Sequence, residues 1–255
     1  MRNIGIIFKK EMDSYFVSPV AYLLLTMFGL IFGFFFWNAV NYFVIVGIES
    51  QMRGQSFPMN VNEQVIRPLL SNVSVVGLFF IPMMTMRLFA EEKRSGTIEL
   101  LITSPIRDIE IILGKWLAAV ALYACMLLFT AVNFAFLFHY GNPDWRPMAI
   151  GYLGLLLQAG GLLALGTLIS TMTKNQIIAG AATFGVCLIL WVLEWVSGYE
   201  TAAWAKVLAY LSVITHFESF AKGVIDTKDL VFYASMIFLG LFLTARSMES
   251  LRWRS

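Results

Sequence analysis

The residues of this chain that could bind a metal ion or act in acid–base catalysis are few and poorly spaced for either task. The two histidines, His139 and His216, and the two cysteines, Cys125 and Cys187, are far apart in the sequence. The patterns HExxH, GxxxxGK[ST] and GxSxG do not occur, so the sequence lacks a zinc-protease helix, an ATP-binding loop and a hydrolase nucleophile elbow. We therefore expect no catalytic residue, no metal site and no cofactor bound by this chain.

Charged residues are densest at residues 87–105, where they surround a few apolar residues. We call this stretch the charged segment. Its informative residues are Glu91, Glu92, Arg94, Ser95, Gly96, Thr97, Ile98, Glu99, Leu101, Ile102 and Pro105. Ser95 or Thr97 can cap a short helix that has Glu99 in its first turn. Gly96 permits a sharp turn before this helix, and Pro105 ends it. A solvated loop would not need Ile98, Leu101 and Ile102, so we expect these three apolar residues to fill a pocket on a partner protein.

The composition of the whole chain is that of an integral membrane protein. Of its 255 residues, 59% are hydrophobic and only 13% are charged, and the mean hydropathy is +0.76. Soluble domains are about 45–50% apolar and about 25% charged. Folded in water, this chain would expose more apolar surface than a soluble protein tolerates. The net charge of +2 is too small to predict nucleic-acid binding.

Long apolar runs predict an all-α fold with six transmembrane helices in one membrane domain, residues 1–255. The predicted spans are residues 20–48, 73–90, 116–139, 147–172, 177–196 and 230–245. Residues 1–18 have apolar residues at helical spacing and charges between them, which predicts a helix in the plane of the membrane interface. Residues 197–229 predict a pair of short helices that dip into the membrane or lie on it. A seventh span is the alternative.

Small residues in the spans indicate where helices can approach one another closely. Gly29 and Gly33 lie four residues apart in the first span, and Ala181 and Gly185 do so in the fifth. Small residues at this spacing let two helices pack closely in lipid. We expect these pairs to lie at helix–helix contacts.

Three residues are candidates for a pathway through the membrane or for the stretch between spans five and six. Glu194 lies between Trp191 and Trp195, and an acidic residue inside a membrane segment is a functional candidate. The alternative is that Glu194 reaches the membrane surface beside a belt of aromatic residues. His216 and Glu218 lie in the ambiguous stretch before the last span.

The distribution of lysine and arginine predicts that both termini lie in the cytoplasm. With that orientation, 12 of the 18 basic residues lie on the cytoplasmic side and six on the other, as the positive-inside rule requires. Both termini on one side also require an even number of spans, which fits six.

Three stretches of the sequence resemble type-2 permeases of ATP-binding-cassette (ABC) transporters. The run EEKRSGTIELL at residues 91–101, continued to Pro105, resembles the signature of that family. FKKE at residues 8–11 with YFVSP at residues 15–19 resembles its N-terminal elbow helix. HFESFAKGVID at residues 216–226 is similar to one branch, which includes gliding-motility permeases and the copper-related permeases of nitrous-oxide reductase maturation.

The resemblance implies a transport subunit of an exporter in the bacterial inner membrane. Two permease chains, identical or different, would pair, and cytoplasmic ATPase subunits would bind ATP and Mg²⁺. The short helix in the charged segment would be the coupling helix, and the short helices between spans five and six would be re-entrant. An accessory membrane protein with an extracytoplasmic domain can accompany permeases of this branch. The resemblance does not name a substrate.

Two other classes of function remain as alternatives. A self-contained channel or secondary carrier usually needs more charged residues inside its spans than this sequence has. A membrane enzyme would need a catalytic motif, and the patterns searched for are missing.

Overall fold

The computed structural model describes residues 2–54, 60–103, 105–141, 143–196 and 203–252, and these ranges contain eleven α-helices, one π-helical turn and no strand. The helices are α1 (Arg2–Val17), α2 (Pro19–Met52), α3 (Arg67–Thr85), α4 (Ala90–Ser95), α5 (Ile98–Thr103), α6 (Asp108–Tyr140), α7 (Trp145–Met172), α8 (Gln176–Val196), α9 (Ala203–Tyr210), α10 (Val213–Ala221) and α11 (Thr227–Arg252). The π-helical turn, Asn62–Ile66, leads directly into α3.

Six helices are long and apolar enough to cross a membrane: α2, α3 with its flanking turns, α6, α7, α8 and α11. This confirms the predicted all-α fold with six spans. The 34 residues of α2 correspond to about 51 Å at 1.5 Å per residue, which exceeds the roughly 30 Å hydrocarbon core of a bilayer. Helix α2 therefore tilts in the membrane or extends beyond it.

Two spans begin earlier than the apolar runs predicted. Helix α3 begins at Arg67, directly after the π-helical turn, and has Pro68 in its first turn. Helix α6 begins at Asp108, and the Glu110 carboxylate accepts the backbone N–H of Arg107 at 3.4 Å, which closes its first turn. Polar residues continue these helices beyond the apolar core, so hydropathy alone places their starts too late.

Helix α1 lies against the beginning of α6 and next to the beginning of α2. Ser18 separates α1 from α2, and its hydroxyl accepts the N–H of Val20 at 3.4 Å, with Pro19 in the first turn of α2. Gly114 allows the close contact with α6, because a Cβ there would lie 2.7 Å from Cγ2 of Ile7.

Helix α7 is the centre of the bundle and packs against α3, α6, α8, α10 and α11. The chain crosses between two ends of this bundle. At one end, here called the proximal end, α1, the charged segment and the end of α11 meet. The Thr171 hydroxyl donates to Ser247 there, at 2.9 Å. At the other, distal end, Asn62 and Asp144 exchange two hydrogen bonds of 3.0 and 3.1 Å.

Two short helices, α9 and α10, lie between spans five and six, as predicted. They have eight and nine residues, which is too short to cross a membrane, so the described residues contain no seventh span. Helix α10 packs against α3 and α7 at the distal end. Gly154 makes room for it, since a Cβ at this position would lie 2.5 Å from Cβ of Phe220.

Candidate functional site

The charged segment is anchored to the bundle at the point where it leaves α3. The Ser170 hydroxyl on α7 accepts the backbone N–H groups of Phe89 and Ala90, both at 3.1 Å. Leu88 and Phe89 are buried at this point, and the ammonium of Lys93 donates to the carbonyl of Thr171. These contacts fix where the segment begins relative to span four.

A sharp turn at Gly96 redirects the chain between α4 and α5. Gly96 has a φ of +74°, in the left-handed region that glycine adopts without strain. The hydroxyl of Ser95 donates to the carbonyl of Glu91 at 3.0 Å and lies 2.8 Å from the hydroxyl of Thr97. Glu99 lies in the first turn of α5. The charged segment is thus a hairpin of two short helices.

The hairpin exposes a different apolar residue from those selected in the sequence. Ile98 and Leu101 are half-buried and pack against the hydrophobic core of this chain. Leu100 is 73% exposed, and the side chain of Ile102 lies outside the described structure. The exposed residues around Leu100 on this hairpin are Glu91, Arg94, Ser95, Gly96, Thr97, Glu99 and, after α5, Pro105. Among the described side chains of this hairpin, Leu100 is the most exposed apolar one.

A buried ion cluster joins three elements at the proximal end. The ammonium of Lys115 lies 2.8 Å from Oε1 of Glu11 and 2.9 Å from Oε1 of Glu92, and the Lys115 side chain is only 2% exposed. These residues belong to α6, α1 and α4. Sequence reasoning placed Glu92 among the partner-facing residues and did not single out Lys115 or Glu11. In the sequence, Glu11 and Glu92 are 104 and 23 residues from Lys115, so only the fold brings the three side chains together.

A second buried polar pair lies at the distal end. His216 on α10 contacts Asp229 on α11, with Nδ1 and Oδ1 2.6 Å apart, and its Nε2–H donates to the carbonyl of Tyr210 at 2.8 Å. The ring of Phe232 stacks on the imidazole at 3.9 Å. His216 was singled out in the sequence, but its partner Asp229 was not. The pair fastens the short helices to the start of span six.

The other two candidates have different surroundings from His216. Glu218 is exposed and forms an ion pair with Lys222 at 3.2 Å. Glu194 is half-buried near the distal end of α8, beside the edge-to-face pair of Trp191 and Trp195. His216 makes its hydrogen bonds with Asp229 and Tyr210, so it does not form a joint site with Glu218.

Among the described residues, no group of three histidine, cysteine, aspartate or glutamate side chains could hold a metal ion. Cys125 is half-buried and Cys187 is buried, and both are free thiols.

The small residues of spans one and five do not pack inside this chain. A Cβ added at Gly29, Gly33 or Gly185 would have no atom within 4 Å, and Ala181 is exposed. An apolar groove of about 590 Å³ runs between α2, α3 and α8, and Ala181 lines it. These residues face the outside of the bundle, where another helix can reach them.

Six spans, with α7 at their centre and the charged segment held at one end, define a multi-pass membrane protein. The comparisons with known proteins narrow this class. A family model described as "ABC-2 family transporter protein" matches residues 6–245, and the chain belongs to that family. It is a transmembrane permease subunit of an ABC transporter.

Two curated relatives match a smaller part of the chain. Both are described as "Probable multidrug ABC transporter permease YbhR", one from Escherichia coli strain K12 and one from Escherichia coli O157:H7. Each is 25% identical over 167 residues, which are 63% of this chain and 43% of the relative. The chain thus spans less than half of the length of the relatives that it matches.

Proposed function

We propose that this permease is the membrane subunit of an exporter, works as a pair of permease chains and is driven by separate cytoplasmic ATPase subunits that bind ATP and Mg²⁺. The observation that carries the proposal is the hairpin of the charged segment. It is held firmly to spans two, three and four and exposes Leu100 among charged and polar side chains. Export is supported by the relatives, which are described as probable multidrug ABC transporter permeases.

The hairpin has the composition of a small docking surface. Interfaces commonly have an apolar anchor at the centre and a polar rim. Here Leu100 supplies the anchor, and Glu91, Arg94 and Glu99 supply the rim. Because the hairpin is tied to the spans, movement of a bound ATPase would be transmitted to them. In this role α5 is the coupling helix and α1 the elbow helix.

The second permease chain is proposed to lie against α2 and α8. The small residues Gly29, Gly33, Ala181 and Gly185 are open on the two helices that flank the apolar groove. A partner helix could approach closely there without displacing a side chain of this chain.

The protein is proposed to lie in the bacterial inner membrane with the proximal end in the cytoplasm. The distribution of basic residues supports this orientation. The short helices α9 and α10 would then lie at the outer face as the re-entrant pair, where an accessory membrane protein with an extracytoplasmic domain would meet them. Membership of the gliding-motility branch stays a prediction.

Purification of the intact protein from native membranes tests the proposal. Mild detergent should yield a complex that contains a P-loop ATPase, and its ATP hydrolysis should depend on the permease. A permease that purifies alone and moves ions or solutes without ATP would instead favour a self-contained carrier.

A further inference from the structure

We propose that Lys115 is a positioning residue that fixes the charged segment to α1, so that the two move as one unit when an ATPase acts on the segment. The inference rests on the proposed function, because it assigns the path by which movement of the hairpin reaches the spans.

The geometry places one buried cation between two acidic residues from separate elements. Lys115 uses two of the three N–H donors of its ammonium for Oε1 of Glu11 and Oε1 of Glu92, at 2.8 and 2.9 Å. The ring of Phe89, at the beginning of the charged segment, lies 5.2 Å from the ammonium and covers it. One side chain of α6 therefore contacts both α1 and the charged segment.

The charges of this cluster balance only when Lys115 is present. Lys10 is mostly exposed and lies 3.7 Å from Glu11 and 3.5 Å from Glu92. Without Lys115, two largely buried carboxylates would share this one exposed ammonium and repel each other. Glu92 is especially dependent, since its Oε2 is buried without a hydrogen-bond partner among the described residues. Loss of Lys115 should therefore release the Glu92 side chain from α6 and α1.

Other contacts hold α1 and the charged segment separately to the bundle. Asn3 on α1 donates to Glu110 on α6 at 3.0 Å, and Ser170 accepts two backbone N–H groups of the charged segment. These contacts do not join α1 to the segment. Removing Lys115 should leave both elements in place and remove the buried connection between them, so that only the exposed Lys10 still pairs α1 with Glu92, at 3.5 Å.

Lys115→Met tests the inference, because it keeps the length of the side chain and removes the charge. The full permease is placed in nanodiscs with its ATPase subunits, with spin labels at Ser14 on α1 and Thr97 on the charged segment, which are both exposed. In the parent protein the distance between the labels should stay narrow and unchanged by ATP. In Lys115→Met the distance distribution should broaden at least twofold, with ATPase affinity within about threefold of the parent. Lys115→Arg should restore the narrow distribution.

A second label pair, at Asn60 and Lys222 of the distal end, reports whether movement crosses the bundle. ATP should change this distance in the parent protein and in Lys115→Arg. In Lys115→Met the change in distance should be at least three times smaller. If Lys115→Met does not fold, Glu92→Gln replaces it, because it removes the same ion pair from the other side. Unchanged distances at both label pairs, in whichever variant folds, would overturn the inference. Failure of the unmutated permease to bind any ATPase would instead contradict the proposed function.

Discussion

At the scale of single residues, the stability of the distal end depends on the buried contact between His216 and Asp229. Nδ1 of the His216 ring lies 2.6 Å from Oδ1 of Asp229, and the Nε2–H of the ring donates to the Tyr210 carbonyl. Asp229 is 1% exposed, and its Oδ2 has no hydrogen-bond partner among the described residues. The His216 ring is therefore the main partner of this carboxyl group.

We predict that His216→Phe lowers the unfolding temperature and that adding Asp229→Leu raises it again. Phenylalanine keeps the stacking on Phe232 but leaves Asp229 buried alone, and breaking a buried pair costs about 3–5 kcal/mol. Thermal unfolding of the single and double variants in one detergent measures this. The exposed Glu218 is the control, and Glu218→Leu should have little effect. Strictly additive losses would show that the two residues do not stabilise each other.

The exposed apolar residue of α5 could not be identified from its sequence. Ile98 and Leu101 are three residues apart and share a helix face, so they look like an anchor for another protein. That face packs against the core of this chain, and Leu100 lies on a different side. Sequence spacing shows which residues share a face, but only the fold shows what the face contacts.

At the scale of elements, the apolar runs predicted the number of spans because a bilayer leaves helices few alternatives. The short helices α9 and α10 were also expected, from helical spacing that is too interrupted for a span. Helices α3 and α6 begin before the predicted spans, because polar and charged residues such as Lys115 lie inside the helices. The fold buries that charge by pairing it across α1 and α4, and no local pattern indicates such pairing.

The faces of α2 and α8 lead to a prediction about assembly. Gly29→Leu combined with Gly33→Leu should reduce the paired form of the permease at least tenfold, because leucines hold a partner helix away. Both positions have open space, so the change should not disturb this chain's own packing. The mass of the complex in nanodiscs measures the effect.

Gly154→Leu is the matched comparison, since a Cβ there would lie 2.5 Å from Cβ of Phe220. It should destabilise the single chain, whereas the double variant should retain its unfolding temperature. A double variant that pairs as well as the parent would remove α2 from the interface.

At the scale of the whole molecule, six spans return the chain to the end at which it started, so α1, the charged segment and the end of α11 share one side. We predict that this side is cytoplasmic. In a background without Cys125 and Cys187, a membrane-impermeant thiol reagent should label Asn60→Cys in intact cells. It should reach Thr97→Cys only after the cells are opened. The reverse pattern would invert the orientation.

If the exposed hairpin receives an ATPase, the substitution Leu100→Asp should weaken the binding of that ATPase. An anchor side chain at an interface centre commonly contributes about 2 kcal/mol or more, so the affinity of the ATPase should fall more than tenfold. Leu211→Asp, at an exposed leucine of the distal end, is the control and should leave binding unchanged. The measurement is the affinity of the purified ATPase for permease nanodiscs, with ATP hydrolysis recorded in parallel. The predicted result is a loss of ATPase affinity in Leu100→Asp and not in Leu211→Asp. Parent-level binding and hydrolysis in a folded Leu100→Asp permease would show that the hairpin does not receive the ATPase through Leu100.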